Sequence, residues 1–335
     1  MSPPRGHRTD GNRDGQAHAR ARGAGPGAAA MWLAALLICV ALPLSAIADE
    51  DTGVQVKQAT EEIALHPDDA ELYLRRAELY RSRREWAAGL ADLQTAKRLN
   101  PDLAAIELSL ARLLLAADNP QQALVAIDSF LSLHGDHAGA HLMRARILVR
   151  LGSRREAVDE FTRGIDLARR SGTEGKGPQP DDYLERARLL ACDDIGQLAE
   201  AIRGLDEGVV ALRGAITLQL LAIDLELARR NWDAALDRLA AVEARANRKE
   251  TWMARRADIL AQAGRVDEAS HAYAAALAAI EALPERLRST GSTAELASRV
   301  REGLAAARTG AAGPNHSVRL QLSGDAGCPP PVSRM

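Results

Sequence analysis

A column of small residues returns every 34 positions, and that period dictates what this chain can fold into. Gly89, Ala123 and Ala157 stand 34 apart; after one step of 44, Ala201, Ala235 and Ala269 do so again. Four residues after each comes a larger apolar side chain: Leu93, Ile127, Phe161, Leu205, Leu239 and Tyr273. A second column (Ala77, Ala111, Ala145, Ala187, Ala222, Ala257) runs about a dozen residues ahead of the first. It is followed three residues later by Tyr80, Leu114, Leu148, Leu190, Leu225 and Leu260. Offsets of three and four lie on one face of an α-helix. Polar turns separate the columns, as in Arg83-Arg84-Glu85, Asp118-Asn119-Pro120 and Gly152-Ser153. Each unit therefore reads as helix, tight turn, helix. Antiparallel helices about 8–10 Å apart need a small side chain on one facing surface, which is why Ala and Gly recur.

Composition agrees. Of 335 residues only 2 are Phe, 4 Trp and 4 Tyr, so the core must be built from Ala, Leu, Ile and Val, and a large β sandwich is disfavoured. A formal net charge of −2 supplies no field that would gather nucleic acid.

The repeat resembles the tetratricopeptide repeat family. In the first unit Tyr73, Arg76-Ala77, Tyr80, Gly89, Leu93, Ala96 and Pro101 fall on the family's pattern, framed by Pro67 and Pro101 one period apart. Leu110-Ala111, Leu114, Ala123, Ile127 and Phe130 form the second; His141, Arg144-Ala145, Leu148, Ala157, Phe161 and Ile165 the third; Met253, Arg256-Ala257, Leu260, Gly264, Ala269, Tyr273 and Ala276 the sixth. The fourth departs, with Gly208 in place of the late Ala and a longer turn at Cys192–Gly196, and the fifth lacks the first large residue. The resemblance covers residues 67–283 and implies an all-α, right-handed superhelical solenoid of about six helix-turn-helix repeats. It says little about function, because such repeats serve many roles.

Around the repeats the sequence sets further expectations. Residues 1–48 combine five Arg, an apolar run from Trp32 to Leu42 and Ala46-Ile47-Ala48 ahead of Asp49-Glu50-Asp51, the pattern of a secretory signal peptide with a long basic leader. This implies export to the periplasm or beyond; the alternative is an inner-membrane anchor over residues 28–48, the one case in which the chain would touch a membrane. Val56, Ala59 and Ile63 predict an N-terminal capping helix within 49–66. Leu296, Val300 and Leu304 predict a C-terminal cap within 284–309, opened by a capping box at Ser292-Thr293-Ala294-Glu295. Residues 171–180 read as a loop inserted between repeats three and four, and 310–335 as a disordered tail. Cys192 and Cys328 are the cysteines beyond the leader, and whether they pair is open.

No nucleophile–base pairing, phosphate loop or strand-borne motif is present, so no catalytic residue and no cofactor are expected. His137 and His141, four apart, could share a helical face as metal ligands. His141, however, holds the repeat's large-residue position and His137 a turn, so packing roles and no metal are assigned. Family geometry implies an inner surface formed by the first helices. There Leu74, Leu108, Leu142 and Leu184 form an apolar column, and Glu78, Arg112, Arg146 and Arg188 form the next. The partner-binding candidates are Leu74, Leu108, Arg112, Leu142, Arg146, Leu184 and Arg188, a groove for a peptide or protein carrying carboxylates. A parallel column, Arg76, Arg144, Arg186 and Arg256, is expected to face neighbouring helices instead. The function implied is a non-catalytic interaction module of the bacterial cell envelope. Its alternatives are a regulatory subunit of an envelope enzyme, a cell-wall or membrane assembly scaffold and, last, a metal-dependent enzyme.

Overall fold

A computed structural model describes residues 44–171, 177–192 and 195–309. The leader before Leu44, most of the expected inserted loop, the Asp193-Asp194 turn and the expected tail from residue 310 lie outside the described residues. The chain divides into two compact units, Met1–Val54 and Gln55–Met335, and the repeats lie in the second. All regular structure among the described residues is helical, and no described helix is long and apolar enough to cross a membrane.

Helix α1 (Leu44–Leu65) comes first, with Ala59 and Ile63 buried. Six helix pairs follow. They are α2 (Ala70–Ser82) with α3 (Trp86–Leu99), α4 (Ala105–Ala116) with α5 (Pro120–Leu133), and α6 (Ala138–Leu151) with α7 (Arg154–Arg170). Then come α8 (Pro180–Ala191) with α9 (Ile195–Ala211), α10 (Ile216–Ala228) with α11 (Trp232–Arg245), and α12 (Glu250–Gln262) with α13 (Val266–Glu281). Both columns of small residues are buried at the pair contacts: Ala77, Ala111, Ala145, Ala123, Ala157, Ala201, Ala235 and Ala269 are all at most 1% exposed.

The turn inside a pair is built alike in five repeats. One residue adopts the left-handed conformation: Arg84, Asp118, Gly152, Arg230 or Gly264. The next residue's N–H then closes back on the preceding helix, as Glu85 does on Tyr80 O at 2.9 Å and Arg265 on Leu260 O at 2.9 Å. This motif satisfies carbonyls that a helix end would otherwise leave open and reverses the chain within three residues.

Each second helix also packs on the first helix of the next repeat. First helices of successive repeats touch one another as well (α2 with α4, α4 with α6, α8 with α10), whereas successive second helices stand farther apart. A stack that is tighter on one side curves toward that side, so the first helices line its inner face.

After α13 come a single turn, α14 (Glu285–Arg288), and α15 (Gly291–Thr309), which packs on α12 and α13 with Leu296, Ala297, Val300 and Leu304 buried. The sequence placed the start of this helix at Ser292. Thr290 takes that role instead: its carbonyl accepts the N–H groups of Thr293 and Ala294 at 3.1 and 3.0 Å, and its hydroxyl lies 2.8 Å from the buried Thr293 hydroxyl.

Candidate functional site

On the inner face a shallow cavity of about 490 Å³ opens between α2 and α4, lined among others by Leu74, Arg75, Glu78, Ser109 and Arg112. Two of the expected contact residues, Leu74 and Arg112, sit in its wall. Leu108, also on α4, is half-buried and packs toward the core between α4 and α5. Glu78 faces Arg112 across the cavity, Oε1 to Nη1 3.7 Å, and takes a closer bond from Arg81 Nε at 2.7 Å. Burial works upward on the Glu78 carboxyl, but Arg81, Ser109 and Arg112 outweigh it and hold its pKa below the ordinary carboxylate value. Arg112 keeps 44% of its side chain exposed, so its guanidinium still faces the groove beside this loose pairing.

The apolar column does not continue as a free track. Leu142 and Leu184 are buried, at 8% and 9% exposure. Leu142 fills the space over Gly164 on α7, where an added Cβ would come within 2.8 Å of Leu142 Cγ. Its side chain is spent on helix packing, and Leu184 joins the same core.

The basic column is likewise divided. Arg146 reaches from α6 to α8, where it donates to Asp182 Oδ1 at 2.8 Å and to Glu185 Oε1 at 3.0 Å, with its guanidinium 5.9 Å from the Phe161 ring centre. Burial opposes its charge, but Glu185 and Asp182 more than compensate and hold its pKa above the ordinary value. For Glu185 burial wins over Arg146 and raises the carboxyl. Arg188, one repeat on, is exposed and forms no ion pair among the described residues. The inner face thus presents one cation without an ion pair among the described residues, Arg188, and one loosely paired with Glu78, Arg112, on either side of one held by two carboxylates. Sequence reasoning missed Asp182 and Glu185. Arg112 pairs with an acid 34 residues earlier, whereas Arg146 pairs 36 and 39 residues ahead, across the longer step.

The parallel Arg column lies where it was expected to, against the second helices. Both carboxylate oxygens of the buried Asp92 accept from Arg76 at 2.7 Å; Arg144 donates to Asp128 at 2.7 Å and Glu160 at 3.1 Å; Arg256 donates to Glu243 at 2.8 Å. Arg186 lies against Gly204 and reaches Glu207 at 3.4 Å.

The His pair is pulled apart by packing. His137 caps α6, its Nδ1 accepting the Ala140 N–H at 3.0 Å while its ring meets Phe130 edge-on. His141 is buried, with Nδ1 2.6 Å from Glu160 and Nε2 2.8 Å from the Gly135 carbonyl. Among the described residues no group of three or more His, Cys, Asp and Glu is arranged to hold a metal ion. Cys192, at the end of α8, is disulfide-bonded; Cys328 lies outside the described residues.

No protein-family model and no curated relative matches the sequence. Solved structures do. The C-terminal part of a TPR repeat-containing protein from Cytophaga hutchinsonii is 11% identical, and the match covers 73% of this chain and 94% of that one at a TM-score of 0.53. The chain has the tetratricopeptide-repeat fold. Two further structures of this fold overlap less well. YrrB, a TPR protein with an unusual peptide-binding site, is 19% identical over 54% of this chain and 89% of its own, with a TM-score of 0.43. The pilF protein of Pseudomonas aeruginosa is 13% identical over 68% and 96%, with a TM-score of 0.44. In tetratricopeptide-repeat terms, the cavity between α2 and α4 lies between the first helices of repeats one and two, and Arg188 lies on the first helix of repeat four.

Proposed function

We propose that this protein is a non-catalytic interaction scaffold whose inner face takes a peptide or protein segment bearing carboxylates. The observation that carries the proposal is the pair of exposed guanidinium groups, Arg188 without an ion pair among the described residues and Arg112 only loosely paired with Glu78, flanking the self-neutralised Arg146 on the curved inner surface. Guanidinium forks bind carboxylates with two parallel hydrogen bonds, and Leu74 beside Arg112 adds an apolar contact. The sequence pattern of residues 1–48 supports a setting in the cell envelope, with the leader directing export.

Crosslinking in native envelopes, followed by identification of attached proteins, tests this directly. Arg112→Glu with Arg188→Glu is expected to lose the partner captured by the wild-type chain while the far-ultraviolet circular dichroism stays that of the folded helical stack. Equal capture by the double variant would overturn the assignment of these two residues. Removing residues 1–48 is expected to leave the protein in the cytoplasm.

A further inference from the structure

Cys192 ends α8 with helical backbone angles, φ −70° and ψ −31°, and it is disulfide-bonded. The sequence holds three cysteines, Cys39, Cys192 and Cys328, so the second sulfur belongs to Cys39 or Cys328. Cys39 lies in the leader that the signal-peptide pattern assigns to removal after Ala48. In an exported and processed chain, Cys328 is therefore the one other cysteine that can hold Cys192.

The length of chain permits this bond. α15 ends at Thr309, and the 19 residues from there to Cys328 extend to about 65 Å. From α15 the stack leads to α8 through packed neighbours: α15 on α12, α12 on α11, α11 on α10 and α10 on α8. At about 8–10 Å for each contact, the axes of α15 and α8 are at most about 40 Å apart. Beside Cys192 stands the free cation of the inner face. Arg188 precedes it by four residues, hence by one turn on the same side of α8, and is exposed with no ion pair among the described residues. Beside Cys328, three residues earlier, stands Asp325, the one acidic side chain in residues 310–335. A disulfide holds its two Cβ atoms about 3.8 Å apart, three residues span no more than about 10 Å, and residues four apart on a helix lie about 6 Å apart. A bond at Cys192 thus brings the Asp325 carboxylate within reach of the Arg188 guanidinium.

We propose that a disulfide between Cys192 and Cys328 fastens the C-terminal tail to the end of α8, where Asp325 occupies Arg188 in place of a partner's carboxylate. The competition with a partner rests on the binding role proposed above for Arg188; the bond and the contact do not. The bond forms by exchange with an oxidant of the envelope that itself carries a disulfide. The Cys192 thiolate attacks one carrier sulfur, and the other leaves as a thiolate and takes up a proton. The Cys328 thiolate then attacks the Cys192 sulfur of the mixed disulfide and releases the second carrier thiol. The carrier gains two electrons, and two protons pass from the cysteines to its thiols. A dithiol reductant runs the exchange backwards, frees the tail and opens Arg188. Because the tethered acid competes as one exposed ion pair, it weakens partner binding without abolishing it.

Peptide mapping without reduction, on the full chain expressed with its leader and recovered from the envelope, tests the bond. The peptides carrying Cys192 and Cys328 are expected as one linked species, two hydrogens lighter than their sum. Free thiols at both positions, or Cys192 bridged to Cys39 or to another protein, overturn the proposal. Labelling with phenylglyoxal, which adds to guanidinium groups, reads the contact. In the oxidised chain Arg188 is expected to react about three- to fivefold more slowly than after treatment with dithiothreitol, with the Arg112 rate unchanged. Asp325→Asn should keep the disulfide and give Arg188 the rate of the reduced chain. Equal Arg188 rates in the oxidised and reduced wild type, or in oxidised wild type and Asp325→Asn, overturn the contact. Neither measurement uses a partner, so failure of the partner-binding reading would leave both results standing.

Discussion

Arg146 and Asp182 are joined at 2.8 Å across the one step of the stack where the period stretches from 34 to 44 residues. Among the described residues α6 and α8 are not among the first-helix pairs that pack closely on one another. Asp182 is only 3% exposed, and its other oxygen accepts the Gln179 N–H at 2.8 Å, so the carboxylate is fixed from its own side before Arg146 arrives. Arg146→Ala removes the cation and leaves that acid in place. Hydrogen bonds to charged groups are worth about 1.5–3 kcal/mol, and Arg146 is 39% exposed, so a loss of about 1–2 kcal/mol is expected. Urea unfolding measures it. Lysine at this site should recover less than half, because it cannot bond Asp182 and Glu185 with one planar fork; full recovery by lysine would contradict the geometry.

Tyr183 is wholly buried, and its hydroxyl has no hydrogen-bond partner among the described residues. Burial raises its pKa, opposed by the nearby Arg169 and Arg186. An unsatisfied buried hydroxyl costs about 1–3 kcal/mol of desolvation. Tyr183→Phe keeps the ring against Gly208 and removes the hydroxyl, so the variant should match or exceed the wild type in stability, by up to about 1 kcal/mol. A fall in melting temperature would mean the hydroxyl is bonded in solution.

The helix pairs were legible because packing repeats with the sequence: a residue such as Ala123 or Ala157 can occupy only a close contact, and its period transmits that constraint along the chain. The inner groove was only partly legible. Leu74 and Leu142 hold the same place in the repeat, yet Leu74 opens onto a cavity while Leu142 drops into the space left by Gly164, about three helix turns into α7. The difference lies in a partner outside the column. The fate of Arg146 was hidden for a related reason, since its acids sit beyond the inserted loop where the register no longer counts in steps of 34. The start of α15 was misplaced at Ser292 because Thr290 and Ser292 are both good capping residues, and only the burial of Thr293 selects between them.

His137 gives the protein a pH dependence with a defined sign. Its Nδ1 accepts the Ala140 N–H, which only the neutral ring can do. Desolvation lowers its pKa from the ordinary 6.5, with Arg112, His134 and His141 adding repulsion to the charged form. The unfolded chain therefore binds the proton more readily than the folded one. The stability it contributes is full above about pH 6.5 and is lost as pH falls through the lowered folded value. His137→Asn caps the helix without titrating. The difference in melting temperature between wild type and variant should shift in favour of the variant from pH 7.5 down to pH 5; a difference that stays constant would show that the cap is not coupled to the ring's proton.

Two helical glycines separate close packing from mere smallness. At Gly208 an added Cβ would lie 2.7 Å from Leu218 Cδ1 and 2.8 Å from Tyr183 Cγ, the root of a buried ring that cannot swing aside. At Gly89 the nearest atom, at 2.5 Å, is Leu113 Cδ1, the far end of a side chain with other rotamers. Alanine gains about 1 kcal/mol over glycine inside a helix, while overpacking a rigid contact costs about 1–3 kcal/mol. Gly208→Ala should therefore lower stability by about 1–2 kcal/mol net, and Gly89→Ala should be neutral or mildly stabilising. Paired thermal melts read both. If the two substitutions behave alike, the approach of α9 to α8 and α10 is not as tight as the Tyr183 ring position requires.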